Sequence, residues 1–132
     1  ELNAGADAAA TDGGQQVFTG TTDSDLTDAT DNDILIVLNS TTNINTTDAL
    51  ETALEFGGTY QMSNAAAALA VGDTVLVAYD DGVNTYISMV TTNSVVAAEA
   101  YFGAGTLDAV QLITLTGVAN ATGIAVGDII LS

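Results

Sequence analysis

Aspartate is the residue type in this sequence whose spacing is best suited to chemistry, and its densest group lies in residues 23–33. Five aspartates occur in these eleven positions, and a pair of aspartates stands further along the chain. Hard cations such as Ca²⁺ take about six to eight oxygen ligands, which carboxylates and the carbonyls of turns supply. We therefore predict that Ca²⁺ or a similar cation binds at two places. The residues are Asp23, Asp25, Asp28, Asp31 and Asp33 in the first group and Asp80 and Asp81 in the second.

Each aspartate group also has a simpler interpretation. A run of like charges is usually a solvated loop. The first group is not an EF-hand, because Asp28 occupies the position at which that loop needs glycine. In the second group, the Asp81-Gly82 step favours a turn and explains the aspartates without a ligand. The residue pattern alone leaves both interpretations open.

Glu51 and Glu55 form another pair of carboxylates whose spacing allows chemistry. They are one helical turn apart, so they could approach each other as the acid and base of a glycosidase do. We expect both to lie on the exposed face of a short helix, and the chain has no tryptophan to form a sugar-binding platform. Few other general acids, bases or electrophiles are present, and we predict that the chain is not an enzyme.

The charge balance excludes further classes of function. The 132 residues include 17 acidic side chains and no lysine, arginine, histidine or cysteine, which gives a formal net charge of -17. Without these residue types there is no serine-protease triad, thiol nucleophile, zinc finger or phosphate clamp. The negative charge would also repel nucleic acid and anionic membranes. We expect no nucleic-acid partner and no membrane insertion.

The segments that must position these residues are mostly β-strands. Residues 34–38 form a short, apolar, β-branched run, which predicts a buried strand. Residues 74–79 and 85–90 flank the Asp-Gly turn and predict an antiparallel hairpin. Two further strands are predicted at residues 110–115 and 129–131.

Helical patterns are fewer and shorter. A helix is predicted to begin at Asp48, with Glu51 as its capping-box partner, and to stop at Gly57. Residues 65–70 predict a second helical turn, and residues 94–102 are compatible with a helix or with a loop. The fold class that follows is mainly β, a β-sandwich or β-roll-like single domain with one or two short helices.

The domain is predicted to occupy residues 17–132. Residues 1–16 show no periodicity and are predicted to form a flexible N-terminal arm. The short strand predicted at residues 17–20 could pair with this sheet or with that of a neighbouring molecule. The first residues lack an initiator methionine and an apolar leader, so we expect a processed product or a piece of a larger chain.

One short sequence occurs twice. Residues 70–76 (AVGDTVL) match residues 125–131 (AVGDIIL), and residues 32–35 (NDIL) are a weaker third copy. In each copy a turn that contains aspartate precedes an apolar run. The simplest interpretation is a common turn in front of a strand.

These segments resemble parts of repeat-in-toxin proteins, whose G-G-x-G-x-D-x-U-x repeats bind calcium through turn aspartates. Residues 32–36 (NDILI) look like half of such a repeat, and no complete nonapeptide occurs. Residues 70–132 are similar to the C-terminal region of bacterial type I-secreted, hemolysin-type calcium-binding surface proteins. The segments that carry this similarity are GDTVLVAYDDGVNTYISMV, LDAVQLITLTGV and GIAVGDIILS. The resemblance implies an extracellular or cell-surface location in bacteria and a C-terminal signal that a type I exporter reads.

The absence of the residues that usually block edge strands predicts self-association. Natural edge strands are usually blocked by lysine or proline, and this chain contains neither. Negative charge must then keep copies apart, and bound calcium or salt would weaken that repulsion. We expect a non-catalytic extracellular structural module, the subunit of a bacterial surface layer, adhesive fibre or filament that depends on Ca²⁺. The alternative is the C-terminal secretion tail of a larger exported enzyme or toxin.

Overall fold

The prediction of a mainly β single domain with one or two short helices is confirmed. The computed structural model contains one main mixed sheet and one α-helix among the residues that it describes. The described residues are 15–18, 24–25, 35–39, 44–64, 69–97, 100–125 and 128–129.

Five strands form the main sheet, and two shorter ones pair beside it. In chain order they are β1 (Gln15–Phe18), β2 (Ser24–Asp25), β3 (Leu35–Leu38), β4 (Met62–Ser63), β5 (Thr74–Asp80), β6 (Thr85–Thr92) and β7 (Leu107–Leu115). The main sheet has the order β1-β3-β5-β6-β7, in which β1, β3 and β5 are parallel and β5, β6 and β7 are antiparallel. β2 and β4 form the separate pair.

The helix α1 (Thr47–Leu54) connects the parallel strands β3 and β5. Its predicted existence is confirmed, but the predicted capping box is wrong. Thr46, in extended backbone conformation, is the N-cap, and its Oγ1 accepts a hydrogen bond from the backbone N of Ala49 at 3.2 Å. Asp48 lies inside the first turn, where a negative charge is favourable. Glu51 is therefore free to reach another element.

The core has two parts, one on each face of the sheet. All four residues of β3 are buried, which explains its uninterrupted apolar sequence. On one face α1 buries Leu50 and Leu54 against the sheet. On the other face the C-terminal segment buries Ala121, at the start of the 3₁₀ turn Ala121–Gly123, and Ile124. The main sheet is thus covered by α1 on one face and by the C-terminal segment on the other.

The hairpin of β5 and β6 is confirmed, whereas the strand predicted at residues 129–131 and the helical turn predicted at residues 65–70 are not. For residues 94–102 the sequence left a helix and a loop open; their described part contains no helix, and Tyr101 forms an isolated bridge with Ser63. Ile129 lies outside any strand, and residues 130–131 lie outside the described residues. Of the predicted helical turn at residues 65–70, only 69 and 70 are described, and neither is helical.

The N-terminal strand pairs within the chain. β1 begins at Gln15, inside the predicted arm, and pairs in parallel with β3. Residues 1–14 lie outside the described residues. The strand predicted to serve either this sheet or a neighbour's is therefore part of this sheet. In the described ranges, no helix has the length and apolar character needed to cross a bilayer.

Candidate assembly surface

The predicted aspartate pair closes the turn between β5 and β6. Asp80 Oδ1 accepts a hydrogen bond from the backbone N of Gly82 at 3.0 Å, and its Oδ2 accepts one from the backbone N of Ala121 at 3.0 Å. Gly82 has φ +82°, the left-handed conformation that glycine adopts without strain. Asp80 is buried, and it joins the hairpin to the C-terminal segment. The turn thus accounts for this aspartate without a ligand.

Asp81 is held by the same turn. Its Oδ1 accepts hydrogen bonds from the backbone N of Asn84 at 2.7 Å and of Val83 at 2.9 Å, and its Oδ2 accepts one from Tyr86 Oη at 2.7 Å. These contacts, led by the Asn84 amide, lower the pKa of Asp81 to about 2. The carboxylate in turn raises the pKa of Tyr86. The pair therefore has a complete structural role, and cation binding there stays a prediction.

Of the larger aspartate group, one member lies among the described residues. Asp25 lies in β2, and Asp23, Asp28, Asp31 and Asp33 lie outside the described residues. Within the part of the chain that the structure describes, no three acidic side chains come together as a metal site. Calcium at residues 23–33 stays a prediction.

The alanine and the aspartate of the repeated AVGD sequence make the same two contacts at both places. Asp73 Oδ2 accepts a hydrogen bond from the backbone N of Ala70 at 2.8 Å, and the backbone N of Asp73 donates to the carbonyl of Ala70 at 3.0 Å. Asp128 and Ala125 make the same two contacts at 3.0 and 2.9 Å. In both copies the aspartate carboxylate therefore accepts a hydrogen bond from the alanine amide three residues earlier, which accounts for the repeated aspartate without a ligand.

The expectation that Glu51 and Glu55 lie on an exposed helix face is wrong. Glu55 is buried, and its Oε1 accepts hydrogen bonds from the backbone N of Gly105 at 2.6 Å and of Thr106 at 3.2 Å. Glu51 Oε1 accepts one from the backbone N of Ala109 at 2.7 Å. Both carboxylates tie α1 to β7 and to the turn before it. The spacing of one helical turn, which would have allowed an acid–base pair, instead places the two carboxylates on amides of residues 105–106 and 109.

β7 is an edge strand with two unlike halves. It is last in the order of the main sheet, and no strand in the described ranges pairs with its outer edge. In the first half, Leu107 and Ala109 are buried beside α1, and Glu51 occupies the outward amide of Ala109. In the second half, residues 110–114 are all exposed. The helix therefore covers only the beginning of this edge.

The second half of β7 exposes three large apolar side chains, which we call the outer strip: Val110, Leu112 and Ile113. Their exposed fractions are 49%, 46% and 38%. Val110 and Ile113 pair with Met89 and Ile87 of β6, so they extend the sheet face that carries the second core cluster. Ile87 faces Ile113 and Ser88 faces Gln111, which leaves Leu112 without a partner on β6, as in a β-bulge.

The outer strip lies in an uncharged part of an otherwise acidic chain. Residues 109–127 are the longest run without a charged side chain, and Asp108 immediately precedes it. The sequence predicted the strand at residues 110–115 but not its position at the edge. That position depends on which strands pair, for which the sequence offers no local signal.

Comparisons with protein-family models, with curated proteins and with solved structures give no match to this chain. The resemblance to type I-secreted calcium-binding proteins stays a hypothesis that rests on the quoted segments.

Proposed function

We propose that the chain is a non-catalytic structural module that assembles with copies of itself outside the bacterial cell, as a surface layer, adhesive fibre or filament, and that Ca²⁺ promotes this assembly. The observation that carries the proposal is the second half of β7, whose outer edge pairs with no strand of the described residues and whose apolar side chains are exposed. An edge strand with exposed apolar side chains is a template for association, and natural monomers usually block it with charge or proline. Residues 110–115 contain neither.

In this proposal, repulsion between the negative charges of two copies regulates assembly. With 17 acidic and no basic side chains, two copies repel each other at neutral pH, and no lysine or arginine is present to form ion pairs between them. Divalent cations that bind carboxylates reduce this repulsion more effectively than sodium at the same ionic strength. The five aspartates of residues 23–33 are the densest group of carboxylates to which such cations could bind.

Electron microscopy of the purified chain tests the proposal. We expect ordered polymers with millimolar CaCl₂ and dispersed particles with a chelator, compared at matched ionic strength in NaCl. A variant with all five aspartates of residues 23–33 changed to asparagine is the matched control for the cation. It should assemble without calcium, because the change removes repulsion along with the ligands.

Two results would contradict parts of the proposal. Polymers that are indifferent to calcium and chelator would contradict the role of the cation. Monomers in every condition would contradict assembly and favour the alternative, a C-terminal secretion tail of a larger exported enzyme or toxin.

A further inference from the structure

We infer that two copies of the chain meet through their outer strips, with the two β7 strands side by side and antiparallel about a two-fold axis. The inference rests on the proposed self-assembly and names the contact that begins it. Three of the eight large apolar side chains that are exposed in the described part of the chain fall within residues 110–113. The others, such as Val83 and Val95, are scattered through other loops.

The charge distribution favours a second copy over a basic partner as the occupant. A basic partner would be attracted to the acidic segments, not to the longest uncharged run of the sequence, in which the outer strip lies. A second copy carries 17 acidic side chains and no basic one, and it is repelled wherever these charges approach each other. Two outer strips, by contrast, can meet without bringing charges together. They are also self-complementary, since each offers the apolar surface that the other needs to cover.

The same reasoning fixes the relative direction of the strands. In a parallel arrangement the two Asp108 carboxylates, at the start of each outer strip, would come to lie next to each other. In an antiparallel arrangement they lie at opposite ends, and Val110 of each copy faces Ile113 of the other. A two-fold contact of this kind uses the same patch on both subunits.

The structure also limits how far the contact extends. Glu51 occupies the amide of Ala109, so a neighbouring strand cannot hydrogen-bond to β7 there. The irregularity at Leu112 interrupts a regular ladder beyond that point. The contact is therefore made mainly by the side chains of the outer strip. Because a two-fold contact closes on itself, extension into a polymer needs a second contact elsewhere on the molecule.

Substitution of the outer strip tests this contact in the full chain. Ile113→Glu should weaken dimerisation by more than about tenfold, because the two-fold axis brings two new carboxylates into the contact. Val83→Glu, at a side chain that is 62% exposed in the hairpin turn, adds the same charge elsewhere and should leave dimerisation unchanged. Sedimentation velocity over a concentration series in calcium gives the affinities, and circular dichroism shows that each variant is folded.

Crosslinking supplies a second measurement that does not depend on charge. The chain has no cysteine, so Leu112→Cys introduces a single thiol at the predicted axis. A short bismaleimide should convert this variant to a covalent dimer. It should leave Val95→Cys, where the native side chain is 88% exposed, as a monomer.

The outcomes separate this contact from the proposed function. Loss of dimers with Ile113→Glu and selective crosslinking at position 112 support the contact. If calcium-dependent polymers form and Ile113→Glu forms them equally well, or if both thiols crosslink alike, the outer-strip contact is wrong and the proposed assembly stands. If the unaltered chain is monomeric in every condition, both are wrong.

Discussion

The two halves of β7 differ in what meets their outer edge. The first half is covered by α1, which buries Leu107 and Ala109 and places the Glu51 carboxylate on an outward amide. The second half exposes the outer strip and meets no strand of the described residues. The same strand thus shows a protected edge beside an unprotected one. The difference teaches that a carboxylate can satisfy an edge amide in a chain that has no lysine or proline for the task.

Removing Glu55 should have the largest effect on the protected half. Glu55→Ala removes a buried carboxylate and leaves the partly buried amides of Gly105 and Thr106 without their acceptor, and we expect a loss of about 2 kcal/mol in the free energy of unfolding. Urea denaturation measures it. Glu55→Gln, which keeps an acceptor oxygen, should lose less. Equal losses for both variants would show that the charge, not the hydrogen bonds, matters there.

Removing the Glu51 side chain should expose part of the outer edge of β7 that it now covers. Glu51→Ala frees the amide of Ala109, and we expect a smaller loss of about 1 kcal/mol because this side chain is only partly buried. Self-association should become stronger, since the uncovered edge is longer. Sedimentation velocity measures the association, with Asp48→Ala, on the same helix, as the control for lost charge. Weaker association of Glu51→Ala would contradict the protective role.

The hairpin turn beside the far end of β7 should respond to acid. The pKa of Asp81 is about 2 in the folded chain, below its value in the unfolded chain, about 3.9. Its contribution to stability is therefore present above about pH 4 and is lost as the pH falls towards 2. Tyr86→Phe removes one hydrogen bond and should raise the Asp81 pKa only part of the way, since the Asn84 and Val83 amides remain. Carbon-13 NMR titration measures it. An unchanged pKa would show that the tyrosine contact is absent in solution.

Removing the charge of Asp108, which lies between the two halves of β7, should have the smallest effect. Asp108 is exposed and lies next to the outer strip. Asp108→Asn should leave stability within about 0.5 kcal/mol. It should strengthen self-association slightly at low salt and not at high salt, because salt screens this charge. Sedimentation velocity at two ionic strengths measures the change. A large effect that persists in high salt would place Asp108 inside the contact.

Local patterns predicted α1, β3 and the hairpin of β5 and β6, while contacts distant in sequence determined the candidate site. The apolar run of β3 and the Asp-Gly turn between β5 and β6 carry strong local signals, and both predictions are confirmed. The helix was predicted, but its cap was misplaced because Thr46 and Asp48 are both good N-cap residues. The contact of Glu55 with Gly105 joins residues 50 positions apart, and no local pattern indicates it.

The central claim, that the second half of β7 is where copies of the chain meet, is tested most directly by amide hydrogen exchange. Exchange should be measured under dilute conditions with a chelator and again in calcium at assembling concentration. The account predicts that those amides of residues 110–115 that are not hydrogen-bonded to β6 become slower to exchange on assembly, because the outer strips exclude water from this edge. The amide of Ala109, already bound by Glu51, should change little. Assembly with unchanged exchange at residues 110–115, or with protection confined to another surface, would contradict the claim.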